Sequence, residues 1–420
     1  MKDRTVTKPA VTISHESATS IPESAKARSR DVAARGHAPG RVTLDTWQDA
    51  PHNRWTFAHV EEFVPSVRIG RESPRESAPA DQLAAFRGGA QTAGVRDLDA
   101  RLAATWTDAV VVVRRGEVIG EWYAEGFRRH DRHLLMSVSK SVCGILIGAL
   151  VDDGLIDLRR TIGEYIPELE GSAFADATVQ QVMDMTVAVE YDEEYDDLHS
   201  HVRAHDRIAG WRERGDGDAI DSYEFLRSLQ SAGDPGVFQY CSANTDVLAW
   251  LVEAVTSKRY HEVLAERIWS RLGCDDDAVV TVDSSGFAFA NGGISCTARD
   301  LARVGTLMLN GGATGAGRAT SDRVVSAEWV RETMAGGDPD AARGSAFQAI
   351  HPRGSYKNHW WSTGNDRGNV YAVGIHGQYV WLDEPTSTVI VKFSSAPEPL
   401  GPTMNSDHAR LFTDMCAVLD

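Results

Sequence analysis

Two β-rich segments near opposite ends of the chain constrain its fold more than anything between them. Residues 109–113 (Ala-Val-Val-Val-Val) and 118–123 (Val-Ile-Gly-Glu-Trp-Tyr) flank Arg114-Arg115-Gly116-Glu117 and read as a hairpin closed by a glycine-containing turn. Residues 371–374, 378–382 and 388–393 read as further strands, the last two joined by Asp383-Glu384-Pro385-Thr386. Between the two segments the apolar spacing is helical, over 141–152, 178–185, 245–255 and 297–309. Strands at both ends with helices between predict an α+β fold, with an antiparallel sheet built from both chain ends and flanked by helices. The sheet lobe is expected over about 41–130 and 290–420, and an inserted, mainly helical lobe over about 140–285. A cleft between the lobes is the natural place for chemistry.

The 420 residues exceed the ~250–300 that one hydrophobic core usually holds, which fits a composite domain or two interleaved ones. Residues 1–40 are rich in Ser, Ala, Thr, Arg and Pro, and Trp47 is the first aromatic residue. Such a segment buries too little to offset its ordering entropy, so a disordered tail is expected ahead of one globular domain over 41–420. Lys and Arg total 43 against 60 Asp and Glu, a net charge of −17, which argues against a protein that tracks nucleic-acid phosphates. Cys143, Cys241, Cys274, Cys296 and Cys416 are scattered and form no CxxC pair. Reduced thiols are therefore expected rather than a disulfide scaffold or a Cys-rich zinc site. No apolar h-region follows Met1-Lys2-Asp3-Arg4. The longest uncharged apolar run, 142–151, is about half of a membrane span. A soluble, cytoplasmic protein is expected, with no membrane partner.

The common hydrolase and nucleotide motifs GxSxG, HExxH and GxxxxGK[ST] are absent. The candidate chemistry is Ser137-Val138-Ser139-Lys140 at the start of an apolar helix. Residues i and i+3 share a helix face, so Ser137 Oγ and Lys140 Nζ can meet. The helix N-terminus favours developing negative charge, and apolar surroundings favour the neutral lysine that a base requires. In a chain with 31 Ser and 7 Lys, one S-x-x-K by chance is no surprise, and a capping serine beside a snorkelling lysine is the bland alternative. Context argues against it. Lys140 is the only lysine between Lys26 and Lys258, and it sits among Leu134, Leu135, Met136, Val138 and Val142.

A second element is Phe238-Gln239-Tyr240-Cys241-Ser242, an extended run entering a helix capped by Asn244 or Thr245. A tyrosine there can reach into a cleft and pass a proton from nucleophile to leaving group, or it can be a half-buried core tyrosine. A third is Val373-Gly374-Ile375-His376-Gly377-Gln378, where glycine admits close approach of a substrate carbonyl to backbone N–H groups. Two rival patterns read differently. His199, His201, His205 and Asp206 could suggest zinc, but the segment is acidic and loop-like and offers no evident general base, so a solvated loop is expected. The acidic run 192–197 lacks the glycine and terminal glutamate of an EF-hand and is expected to be a solvated cleft rim.

Ser137-x-x-Lys140, then Tyr240, then a glycine-containing strand motif near the end is the order found in the serine β-lactamase and penicillin-recognising superfamily. Within it the chain most resembles the nylon-oligomer (6-aminohexanoate-dimer) hydrolases, themselves similar to family VIII carboxylesterases. The stretches that carry this are His133-Leu-Leu-Met-Ser-Val-Ser-Lys-Ser141, Phe238-Gln-Tyr-Cys-Ser-Ala-Asn-Thr-Asp-Val-Leu-Ala-Trp250, Gly292-Gly-Ile-Ser-Cys-Thr-Ala-Arg-Asp-Leu-Ala-Arg303 and Gly374-Ile-His-Gly-Gln378.

The resemblance implies a β-lactamase-like domain over 41–420 in which Ser137 is the acylated nucleophile, Lys140 its base and Tyr240 the proton relay. It implies an oxyanion hole of the Ser137 and Ile375 backbone N–H groups. Tyr195 matches a loop tyrosine that hydrogen-bonds the scissile amide nitrogen, and Asp206 and Asn291 match positions that favour amine-ended oligomers. Ser242 and His376 stand where the wider superfamily has the Asn of Y-x-N and the Lys of K-T-G, and they are candidate substrate contacts. Loss of that lysine removes the usual anchor of a β-lactam carboxylate, so weak lactamase activity is expected. The implied enzyme needs no metal or other cofactor, takes a small amide or ester, and has relatives that are homodimers. The alternatives are a carboxylesterase with little amidase activity and a non-catalytic binding module that keeps the fold.

Overall fold

The computed structural model describes residues 41–72, 79–88, 94–314, 323–401 and 403–420, so the expected tail over 1–40 lies outside the described residues. In chain order the strands are β1 (Ser66–Ile69), β2 (Thr107–Arg114), β3 (Glu117–Tyr123), β4 (His133–Leu134), β5 (Ala278–Thr281) and β6 (Ile294–Cys296). They are followed by β7 (Ser355–Lys357), β8 (Trp360–Ser362), β9 (Val370–Gly374), β10 (Gln378–Asp383) and β11 (Thr388–Ser394). The larger sheet has seven strands in the order β3-β2-β11-β10-β9-β8-β7, every pair antiparallel.

The two chain ends meet where β2 pairs β11, with Val113 opposite Val389 and Val111 opposite Val391. The expected hairpin is β2–β3. Arg115 (φ +53°) and Gly116 (φ +85°) form its turn, and positive φ at both central residues matches the right-handed twist of the flanking strands. β2 and β11 are buried along almost their whole length because both faces of the sheet are covered. Val111, Val113, Val389 and Val391 face the helical core, whereas Val110, Val112 and Ile390 pack on Leu411, Phe412 and Met415 of the C-terminal helix Met404–Ala417. An uninterrupted valine run is what a strand covered on both sides requires.

A second, four-stranded sheet in the order β1-β5-β6-β4 was not expected. Its strands are two to four residues long and carry no period that marks them, and β5 falls within the segment read as helical. The helix Val138–Asp152, here α1, is buried on every side from Val138 to Leu150, so beyond the polar first turn of Ser139, Lys140 and Ser141 it is apolar rather than amphipathic. The helices α2 (Ser242–Thr256) and α3 (Ala298–Leu309) also fall where the spacing places them. α2 begins earlier than its local capping residues suggested. Asn244 is turned inward and donates to the Val182 carbonyl, and the Ser242 N–H is taken by Glu193 from a distant loop.

Candidate active site

The backbone turns sharply between β4 and α1. Met136 holds φ +49°, a left-handed position that few side chains adopt, and Ser137 follows as the N-cap residue of α1. One turn on, Lys140 Nζ lies 2.9 Å from Ser137 Oγ and donates to the Asn291 carbonyl oxygen at 2.8 Å. Lys140 is 1% exposed. Burial lowers its pKa from the ordinary 10.5 to about 8, against the Glu193 and Asp246 carboxylates, which favour the charged form. A lysine so tuned reaches its neutral, basic form near physiological pH.

Tyr240 completes the cluster. Its ring centroid is 5.2 Å from Lys140 Nζ, and the ring stacks on Trp361 with centroids 5.7 Å apart. Burial first, then the Glu193 carboxylate, push the Tyr240 phenol well above its ordinary value, while contact with Ser137 opposes the shift. Tyr240 therefore keeps its proton at neutral pH and is a donor, and Lys140 is the better base of the two.

These groups open into a cavity of about 470 Å³ whose wall includes Ser137, Tyr240, Glu193, Tyr195, Gly374 and Ile375. The remainder is largely apolar, with Phe238, Phe347, Trp361 and Leu400 in the wall and no Lys or Arg among its described residues. Gly374 ends β9 against the turn that carries Ser137. A Cβ there would lie 2.6 Å from the Leu135 carbonyl oxygen and 3.0 Å from the Ser137 nitrogen, so only glycine lets the strand approach this closely.

The other sequence-predicted residues are placed as follows. Tyr195 lines the cavity, and its hydroxyl donates to Glu193 Oε1 at 2.8 Å. Ser242 lies behind the wall, with its Oγ donating to the same oxygen at 2.5 Å and its N–H donating to Glu193 Oε2 at 3.0 Å. Asn291 is buried; its N–H and Nδ2 donate to the two oxygens of Asp246 at 2.9 and 2.8 Å, while its carbonyl receives Lys140. Asp206 is also buried, 3.4 Å from Arg203 Nη1 and 3.6 Å from Arg212 Nε. Burial raises its carboxyl while the two arginines pull it back. His376, at φ +62°, lies with Nδ1 2.7 Å from the Ala396 carbonyl oxygen. None of Ser242, Asn291, Asp206 and His376 forms part of the cavity wall.

The segment expected to be a solvated loop around His199 to Asp206 is instead largely the helix His201–Ile208, capped by Ser200, whose side chain accepts from the Arg203 N–H. Val202, His205 and Ile208 bury its inner face, and His205 Nε2 lies 3.0 Å from Asp246 Oδ2. Two site residues escaped the sequence. Asp246, fully buried on α2, orients the Asn291 carbonyl that receives Lys140. Glu193 turns inward from the acidic rim: Glu193 and Tyr195 are half-buried between exposed Asp192, Glu194 and Asp196, and the aromatic ring of Tyr195 two positions on was the one signal in the sequence.

The sequence profile of the family described as Beta-lactamase matches residues 95–413. The chain belongs to the Beta-lactamase family. Within this family it is 50% identical, over 385 residues, to the 6-aminohexanoate-dimer hydrolase of Paenarthrobacter ureafaciens, covering 92% of this chain and 96% of that protein. A solved structure from Bacillus anthracis, provisionally named a 6-aminohexanoate-dimer hydrolase, superposes with a TM-score of 0.77 at 28% identity, covering 91% and 98% of the two chains. A family VIII carboxylesterase shares the Beta-lactamase fold with a TM-score of 0.58 at 15% identity, covering 81% and 99%. No helix among the described residues is long and apolar enough to cross a membrane.

Proposed function

We propose that the protein cleaves short linear amides of the 6-aminohexanoate-dimer type through an acyl-enzyme on Ser137, with side activity on short-chain esters. The observation that carries this reading is the 2.9 Å contact between Ser137 Oγ and a buried Lys140 Nζ. Neutral Lys140 takes the Ser137 proton as Oγ attacks the carbonyl. The developing oxyanion meets the N–H groups of Ser137 and Ile375, and Tyr240 hands a proton to the leaving amine. Water then releases the acyl group by the reverse relay. A cavity wall without Lys or Arg supports an amide or ester substrate over a β-lactam, whose carboxylate would lack a cationic partner. All five cysteines are unpaired, which supports a reducing compartment such as the cytoplasm, and a homodimer is proposed on the family resemblance alone.

The test is primary-amine release from the linear 6-aminohexanoate dimer, followed with the intact-protein mass. Release with a transient acyl adduct is expected. An adduct without release would mark a binding module, and cleavage confined to a short-chain ester would leave a carboxylesterase. The rate also has a predicted pH dependence. Only neutral Lys140 can accept the proton, and burial places its midpoint at about 8. kcat/KM is therefore expected to climb about tenfold per pH unit below that value and level off above it. A profile flat from pH 6 to 9 would remove Lys140 as the base.

A further inference from the structure

The hydrogen-bond polarity around Glu193 is forced. An ionised carboxylate can only accept, and a backbone N–H can only donate. Glu193 Oε2 takes the Ser242 N–H at 3.0 Å, and Oε1 takes both the Ser242 hydroxyl, at 2.5 Å, and the Tyr195 hydroxyl, at 2.8 Å. A tyrosine has one hydroxyl hydrogen, and Glu193 consumes it. What Tyr195 presents to the cavity is then an oxygen lone pair, an acceptor. Burial and the neighbouring Glu193 carboxylate push the Tyr195 phenol well above its ordinary value, which keeps that hydrogen in place.

We infer that Glu193 is a positioning residue that makes the enzyme selective for amides, by holding Tyr195 as a hydrogen-bond acceptor for the N–H of the scissile amide. This rests on the amide reading above. When Ser137 adds to an amide carbonyl, the nitrogen becomes tetrahedral and carries one hydrogen and one lone pair. Expulsion requires the lone pair to face the proton donor Tyr240, so the N–H must point elsewhere and find a partner. Tyr195 supplies it. The C–N bond then breaks, with its electron pair leaving on a nitrogen that has taken the Tyr240 proton. An ester oxygen has no hydrogen to place, and it gains nothing from this arrangement. An unplaced buried N–H weakens the transition state by about tenfold to a hundredfold. No ion pair of Glu193 appears among the described residues, so the group reads as a hydrogen-bond hub that also caps α2 rather than as half of a salt bridge.

Glu193→Gln is the isosteric test, because the fixed Ser242 N–H dictates how the new amide sits. The glutamine oxygen must occupy the Oε2 place to accept it, which puts the NH₂ group against Tyr195 and reverses the polarity of the hydroxyl. The expected result is a fall of about tenfold or more in the ratio of amide to ester kcat/KM for a matched pair with the same acyl group, carried by kcat rather than KM. Tyr195→Phe should lower the ratio to a similar value, and the double variant should lower it no further. A role confined to capping α2 would depress both substrates together and leave the ratio unchanged. If the unmodified protein cleaves both substrates and neither variant moves the ratio, the assignment of Glu193 is overturned and the amide reading stands. If the unmodified protein cleaves only the ester, both are overturned. Should Glu193→Gln fail to fold, an unmoved ratio in Tyr195→Phe overturns the assignment alone.

Discussion

Ser137→Ala is expected to abolish hydrolysis of amide and ester alike, by about 10⁴-fold or more, and to leave the protein folded. Removing a nucleophile from a group that acts as a unit costs nearly the whole covalent pathway, and binding and oxyanion contacts alone supply the residue. The fold should survive because Lys140, the buried partner left behind, keeps its bond to the Asn291 carbonyl at 2.8 Å and can remain neutral. Ser137 is also the N-cap residue of α1 but makes no side-chain capping bond there, so alanine removes no cap. Amine release and circular dichroism on the same preparation decide the matter. A folded variant that still turns over either substrate at more than a hundredth of the original rate would exclude Ser137 as nucleophile.

Gly374→Ala is expected to cost about a hundredfold in kcat without touching a single reacting side chain. The added methyl would lie 2.6 Å from the Leu135 carbonyl oxygen, 2.9 Å from Met136 Cβ and 3.0 Å from the Ser137 nitrogen. These are backbone atoms and a first side-chain carbon, none of which can swing aside, so β9 and the Ser137 turn must separate. Ile375, whose N–H we propose for the oxyanion hole, moves with β9. Displacing such a donor by a fraction of an ångström forfeits much of the ~10²- to 10³-fold that one oxyanion donor supplies. Overpacking should also destabilise the fold by about 1–3 kcal/mol. kcat for the dimer and the thermal midpoint check this together. An unchanged kcat would show that the strand tolerates the methyl and that its approach to Ser137 is not required.

Much of the architecture was legible because it is encoded over short distances. The β2–β3 hairpin follows from two β-branched runs and an Arg-Gly turn, and the valine runs of β2 and β11 announce strands covered on both faces. Where the reading of the sequence fell short, contacts from far along the chain had overridden local preference. Asn244 and Thr245 point to a later start for α2, but Glu193, about fifty positions earlier, takes its first N–H. The helix His201–Ile208 looks like a loop in the sequence because its polar composition hides an inner face of Val202, His205 and Ile208. The four-stranded sheet is made of pieces too short to show any period.

The candidate site divides the same way. Ser137 and Lys140 are three residues apart at the start of one helix, and helical geometry alone brings their side chains together, so the sequence by itself determined that pair and the chemistry it can support. Everything that tunes the pair was decided by tertiary structure. The Asn291 carbonyl reaches Lys140 across 151 positions, Glu193 reaches Ser242 across 49, and Gly374 meets the Ser137 turn from the opposite end of the chain. Helical spacing acts through rigid local dihedrals that four residues suffice to set. Burial, charge and the direction of a hydrogen bond depend instead on which distant surfaces the folded core presses together.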